Sequence, residues 1–90
     1  MSHELVPVFK ALADPTRLDI VRWLSRHGEL SCARLSRRFP LAQPTLSHHF
    51  RKLLAAGVLT ERKQGVHHFY RVNIRALRAL GLNHRRLLTK

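Results

Sequence analysis

Acidic side chains are scarce in this 90-residue chain. Glu4, Asp14, Asp19, Glu29 and Glu61 stand against seventeen Lys and Arg, for a formal net charge of +12 at pH 7. No acid follows Glu61, so Arg62, Lys63, Arg71, Arg75, Arg78, Arg85, Arg86 and Lys90 are unopposed in the sequence beyond it. Such an excess points to a polyanionic partner, either nucleic acid or an anionic membrane surface. Cysteine is scarcer still. Cys32 stands alone, which excludes an intrachain disulfide and a cysteine-rich zinc module and suits a reducing cytoplasm. No run approaches the roughly 20 apolar residues that a membrane span needs. Glu4 and Pro7 interrupt any secretory leader at the start, so none is expected. There is no repeat, low-complexity tract or linker. No paired carboxylates, phosphate-cradling glycine loop or activated nucleophile is visible, so the chain is not expected to be an enzyme.

What is present fits a single domain over residues 1–90. Its 44% hydrophobic content is ordinary for a globular protein. So short a chain buries a modest core and gains from pairing with a second copy. A first helix is expected over Ser2–Ala13, with Pro7 delaying or kinking its start and Leu5, Val8 or Phe9, and Leu12 on one face. Asp14 and Pro15 suit an N-cap and first helical position, so a second helix should run to about Arg26 and stop at Gly28. Leu18, Val21 and Leu24 form its stripe, widened by Ile20 and Trp23. Ser31 can cap a third helix, in which Cys32, Leu35 and Phe39 share a face before Pro40. A turn over Leu41–Gln43 leads to a fourth helix from near Pro44 to Gly57, with Leu46, Phe50, Leu53 and Leu54 inward.

Val58–Lys63 and Val66–Val72 read as two strands around Gln64-Gly65. A two-residue turn there sets Leu59 opposite Tyr70, Glu61 opposite His68 and Arg62 opposite His67. Asn73 can cap a last helix in which Ile74, Leu77 and Gly81 share a face. The result is mostly α with a small β-hairpin, in the order α-α-α-α-β-β-α. That is the order of a winged helix-turn-helix, which places one helix in the major groove of duplex DNA and a hairpin along the neighbouring backbone.

Helix 43–56 carries the recognition signal. Pro44, Thr45, His48, Arg51, Lys52 and Ala55 point away from its apolar stripe, with Ser47 and His49 on the flanks. Gln43 suits adenine, Ser47 and Thr45 suit either base, and the Thr methyl can touch thymine. Arg51 and Lys52 fit phosphates, as do Arg62, Lys63, Gln64 and His67 in the wing at 60–72. The competing reading of each position is a solvated polar face. The basic hairpin that follows tips the balance to double-stranded DNA.

Residues 9–21, Phe9-Lys10-Ala11-Leu12-Ala13-Asp14-Pro15-Thr16-Arg17-Leu18-Asp19-Ile20-Val21, resemble the opening of ArsR-type (arsenic- and metal-responsive) repressors. So do Gln43 to Leu53, Ala56-Gly57-Val58-Leu59, and Gly65 with Phe69-Tyr70-Arg71-Val72-Asn73. The resemblance covers about Val8 to Asn73. It implies a bacterial cytoplasmic, nucleoid-associated homodimer that binds operator DNA and represses transcription, with DNA contacts on Gln43, Pro44, Ser47 and His48. Ala42 departs from the pattern, since relatives often carry Ser there. Many relatives ligate metals through two cysteines one residue apart. Here Ser31 and Ala33 hold those positions, with Cys32 between them. A second family site needs Asp and His on the last helix, where this chain has only His84. No metal or other cofactor is therefore expected, and the inducer is unassigned.

Cys32 reads as a small buried hydrophobe ahead of a redox sensor. The pairs His48-His49 and His67-His68 read as polar DNA contacts ahead of metal ligands, because adjacent side chains diverge on a helix or strand. The apolar stripes of helices 1–13 and 74–90 suggest dimerisation through Leu5, Phe9, Leu12, Ile74 and Leu77. The reading is a homodimeric repressor on an inverted-repeat operator, without membrane attachment. The alternative is a non-specific nucleic-acid or architectural protein. Base-reading types at Gln43, Thr45 and Ser47 separate the two.

Overall fold

The computed structural model describes residues 5–79 and 81. The elements are α1 (Leu5–Leu12), α2 (Pro15–His27), β1 (Leu30–Ser31), α3 (Cys32–Arg38), α4 (Gln43–Ala55), β2 (Leu59–Gln64), β3 (His67–Val72) and α5 (Ile74–Ala79). The expected helix start at Ser2, and the continuation through Asn83, His84, Arg85 and Arg86, lie outside the described residues. No helix among the described residues is long and apolar enough to cross a membrane.

Local chemistry sets the boundaries. Asp14 accepts a hydrogen bond from the Arg17 N–H at 2.9 Å, and Pro15 opens α2. Gly28 ends α2 at φ +78°, with its N–H on the Leu24 carbonyl. Ser31 caps α3 by accepting from the Arg34 N–H at 3.1 Å. No side chain caps α4, as Ala42 implied. The end of α4 is a Schellman motif: the Val58 N–H reaches the Leu53 carbonyl, the Gly57 N–H reaches that of Leu54, and Gly57 takes φ +78°. Asn73 ties α5 to this corner. Its Nδ2 donates to the Gly57 carbonyl at 2.8 Å, and its Oδ1 accepts from the Arg75 N–H.

Val8, Ala11, Ile20, Val21, Leu24, Leu35, Leu46, Phe50, Leu53, Val58, Leu59 and Leu77 are buried in one core, with Tyr70 stacked on Phe50 at 4.5 Å. On α1, Val8 and Ala11 face the core and Phe9 is 47% exposed. Leu18 and Leu54, expected in core stripes, are half-buried. Leu77 is fully buried within the protomer, contrary to its expected place in a dimer contact. It anchors α5 and offers no surface to a partner.

The sheet differs from expectation in two respects. A third strand exists: β1 pairs antiparallel with β3, Leu30 with Tyr70 and Ser31 with Phe69, giving the order β1-β3-β2. Two residues are too few to show periodicity. The hairpin register is also shifted. Gln64 pairs with His67, so the turn is Gly65-Val66, and Leu59 faces Val72, Glu61 faces Tyr70 and Arg62 faces Phe69. Gly65 takes φ +61° as the first of the two loop residues, while Val66 keeps negative φ. That is the pattern of a type II′ turn, which reserves its first position for glycine.

Candidate nucleic-acid interface

The fold presents α4 with Leu46, Phe50 and Leu53 buried and Gln43, Pro44, Thr45, His48, Arg51 and Lys52 exposed. Ser47 is half-buried, and its hydroxyl accepts from Gln43 Nε2 at 3.3 Å. Gln43, Ser47 and Arg51 are four residues apart and follow one ridge of the helix. A groove of about 300 Å³ lies between that ridge and the hairpin. Cys32, Phe50 and Leu54 also line it, with Glu61, His68 and Tyr70 from the strands.

Alternation along the hairpin sorts its side chains. Leu59, Glu61 and Lys63 of β2 share a face with His68, Tyr70 and Val72 of β3. This face begins in the core and continues into the groove beside α4. Thr60, Arg62, Gln64, His67, Phe69 and Arg71 occupy the other face. The predicted wing cations therefore divide: Lys63 shares the groove's face, and Arg62 does not.

Arg62 is also occupied. Its Nη2 donates to Glu29 Oε1 at 2.8 Å, its Nε lies 3.2 Å from both Glu29 oxygens, and its Nη1 donates to Gln64. The guanidinium lies 4.3 Å from the Phe69 ring centroid. These hydrogen bonds hold the Glu29 carboxyl below its usual value and raise Arg62. The free phosphate contact expected of Arg62 is thus a tether between the wing and the loop before β1.

Glu61, His68 and Tyr70 were not among the expected site residues. His68 Nδ1 lies 2.6 Å from Glu61 Oε2. The His68 hydrogen bond foremost, with one from Tyr70, keeps the Glu61 carboxyl low. Burial foremost, with the Glu61 charge, pushes the Tyr70 hydroxyl up. Alternation counted from the turn at Gly65-Val66 finds His68 in the groove, whereas counting from Gln64-Gly65 does not.

His49 turns away from this face, to within 3.4 Å of Arg17 Nη1 and 3.9 Å of Asp14 Oδ2. Lys52 lies on the α1 side of α4, in a cleft with Lys10 and Arg17. Cys32 is half-buried against the core. Among the described residues, no three His, Cys, Asp or Glu converge as a metal site.

Residues 12–62 match the family model described as a helix-turn-helix domain. The chain is 44% identical over 70 residues to the arsenical resistance operon repressor of Staphylococcus xylosus, covering 78% of this chain. It spans 66% of that repressor's length, just under two thirds. Among solved structures, it is similar to HlyU from Vibrio cholerae, with a TM-score of 0.77 and 34% identity over 91% of this chain and 89% of that one. It is likewise similar to an ArsR-like transcriptional regulator from Rhodococcus sp. RHA1, with a TM-score of 0.77 and 32% identity over 87% and 73% of the two chains.

Proposed function

This chain belongs to the ArsR-type winged helix-turn-helix regulators, and on that premise we propose that it is a sequence-specific DNA-binding repressor acting as a homodimer. The observation that carries the proposal is the ridge Gln43–Ser47–Arg51, exposed beside a basic hairpin. Gln43, Pro44, Ser47 and His48 sit at the start of α4 and read base edges; Arg51 and Lys63 meet phosphates. Thr45 and Lys52 approach the duplex from the α1 side, and Gln64 and His67 from the wing tip. The single domain 1–90 is flanked by dimerisation segments, 1–13 and 74–90. The repressor works in the cytoplasm, on the nucleoid, and has no catalytic activity.

A twofold dimer binds an imperfect inverted repeat with half-site centres about 10 bp apart. Recovery of bound fragments from the whole genome is expected to return such a repeat. Recovery without any shared motif would leave the architectural reading in its place.

The Glu29 tether has a consequence for this interface. Glu29→Gln weakens the hold on Arg62 and frees its guanidinium for phosphate. Binding to a scrambled duplex is expected to strengthen, with a salt slope steeper by about 0.9 for each Arg62 that reaches a phosphate. An unchanged slope would mean that Arg62 stays packed on Phe69 and is only a structural pin.

A further inference from the structure

A cluster of arginines lies outside the α4–hairpin groove. Arg22 and Arg26 are on α2, and Arg34, Arg37 and Arg38 are on α3. Arg22, Arg26 and Arg38 line a cleft of about 180 Å³ with Trp23 and Asp19, its one acid. Trp23 is half-buried, and its ring centroid lies 4.2 Å from that of His27. The Arg38 guanidinium sits 4.6 Å from the Trp23 centroid and 4.8 Å from that of Phe39. Two aromatic rings hold Arg38, so it has little rotamer freedom left to lose when an anion binds. Clustered like charge opposes the compact state through self-repulsion, which a bound anion relieves.

Resting on the reading above that this chain binds operator DNA, we propose that the α2–α3 face is a second backbone surface, which takes phosphates of the DNA flanking the half-site. The two surfaces are joined by α3. Cys32 at its start lines the α4–hairpin groove, and Arg38 at its end lies against Trp23. Seven helical residues span about 10 Å. That is about one Debye length at physiological salt, so the cluster acts by contact and not through its distant field. A duplex trimmed to the inverted repeat ends before the cluster, and a longer one reaches it. A membrane surface fits less well, because it requires apolar residues beside the basic ones. The exposed large hydrophobics among the described residues are Val6, Phe9, Leu41 and Val66, and none lines this cleft.

Trp23 is the chain's only tryptophan, so its emission reports on this cleft. The test compares the selected operator trimmed to its repeat with the same operator carrying about one extra helical turn on each side. For wild type, the longer duplex is expected to steepen the salt slope by about two units or more, one arginine contact from each protomer. It should also change Trp23 emission, which the trimmed duplex leaves unaltered. Arg26→Gln, at an exposed position in the last turn of α2, removes about 0.9 of that slope per protomer. It leaves the slope on the trimmed duplex unchanged, which also shows that the variant is folded. Equal slopes and equal emission on both duplexes would overturn the proposal. So would an emission change produced by excess trimmed duplex, since the cleft would then hold a separate DNA molecule. The underlying reading fails separately, by loss of preference for operator over scrambled DNA of the same length.

Discussion

Gln43→Ala and Ser47→Ala are each expected to weaken binding to the selected operator by roughly 5- to 150-fold, about 1–3 kcal/mol for a good base contact. Binding to a scrambled duplex should stay unchanged, because base edges carry the sequence information and phosphates do not. Lys63→Ala is the control. It lies on the groove's face of the hairpin and should weaken both duplexes alike, flattening the salt slope by about one unit. Gln43 Nε2 donates to Ser47 Oγ in the free protein, so the two sites are coupled. The double variant should therefore lose less than the sum of the single losses. Competition titrations on both duplexes at several salt concentrations read all of these effects. Equal losses on operator and scrambled DNA from the α4 variants would remove α4 as the reader.

The second large effect concerns assembly. Phe9 and Val6 leave α1 at 47% and 43% exposure, and Leu5, Leu12 and Ile74 are half-buried. Pairing across a twofold axis would cover these apolar side chains. Phe9→Glu places a charge in that contact and is expected to dissociate the dimer. Each half-site then binds one protomer on its own, and apparent operator affinity falls by about 10²- to 10⁴-fold through lost avidity. Phe9 contributes little to the protomer core, so the variant should remain folded. Sedimentation velocity and operator titration on the same samples check both halves. A wild-type protein that is a stable monomer at micromolar concentration would refute the dimer.

The helices were legible because each carries its own local signals. Asp14-Pro15, Ser31, Gly57 and Asn73 mark boundaries through caps and turns that act within a few residues. The polar side of α4 followed from the spacing of Leu46, Phe50 and Leu53. The hairpin was legible as a hairpin but not in register. Gly65 can occupy either position of a two-residue turn, and the choice flips which histidine faces the groove. The strand at Leu30–Ser31 was hidden because its pairing depends on β3, some forty residues away in the chain. The capture of Arg62 by Glu29 was hidden for the same reason, being a contact 33 residues apart. Leu77 was misplaced because helical periodicity identifies an apolar face but does not say which surface covers it.

The central claim is that this chain distinguishes one DNA sequence from another. The direct measurement is the ratio of wild-type affinities for the selected operator and its scrambled counterpart, taken at equal length and physiological salt. Specific regulators bind their sites about 10³-fold or more above background, and a ratio of at least that size is predicted here. A ratio near one, with strong salt dependence on both duplexes, would contradict the claim and leave only a basic protein that coats DNA.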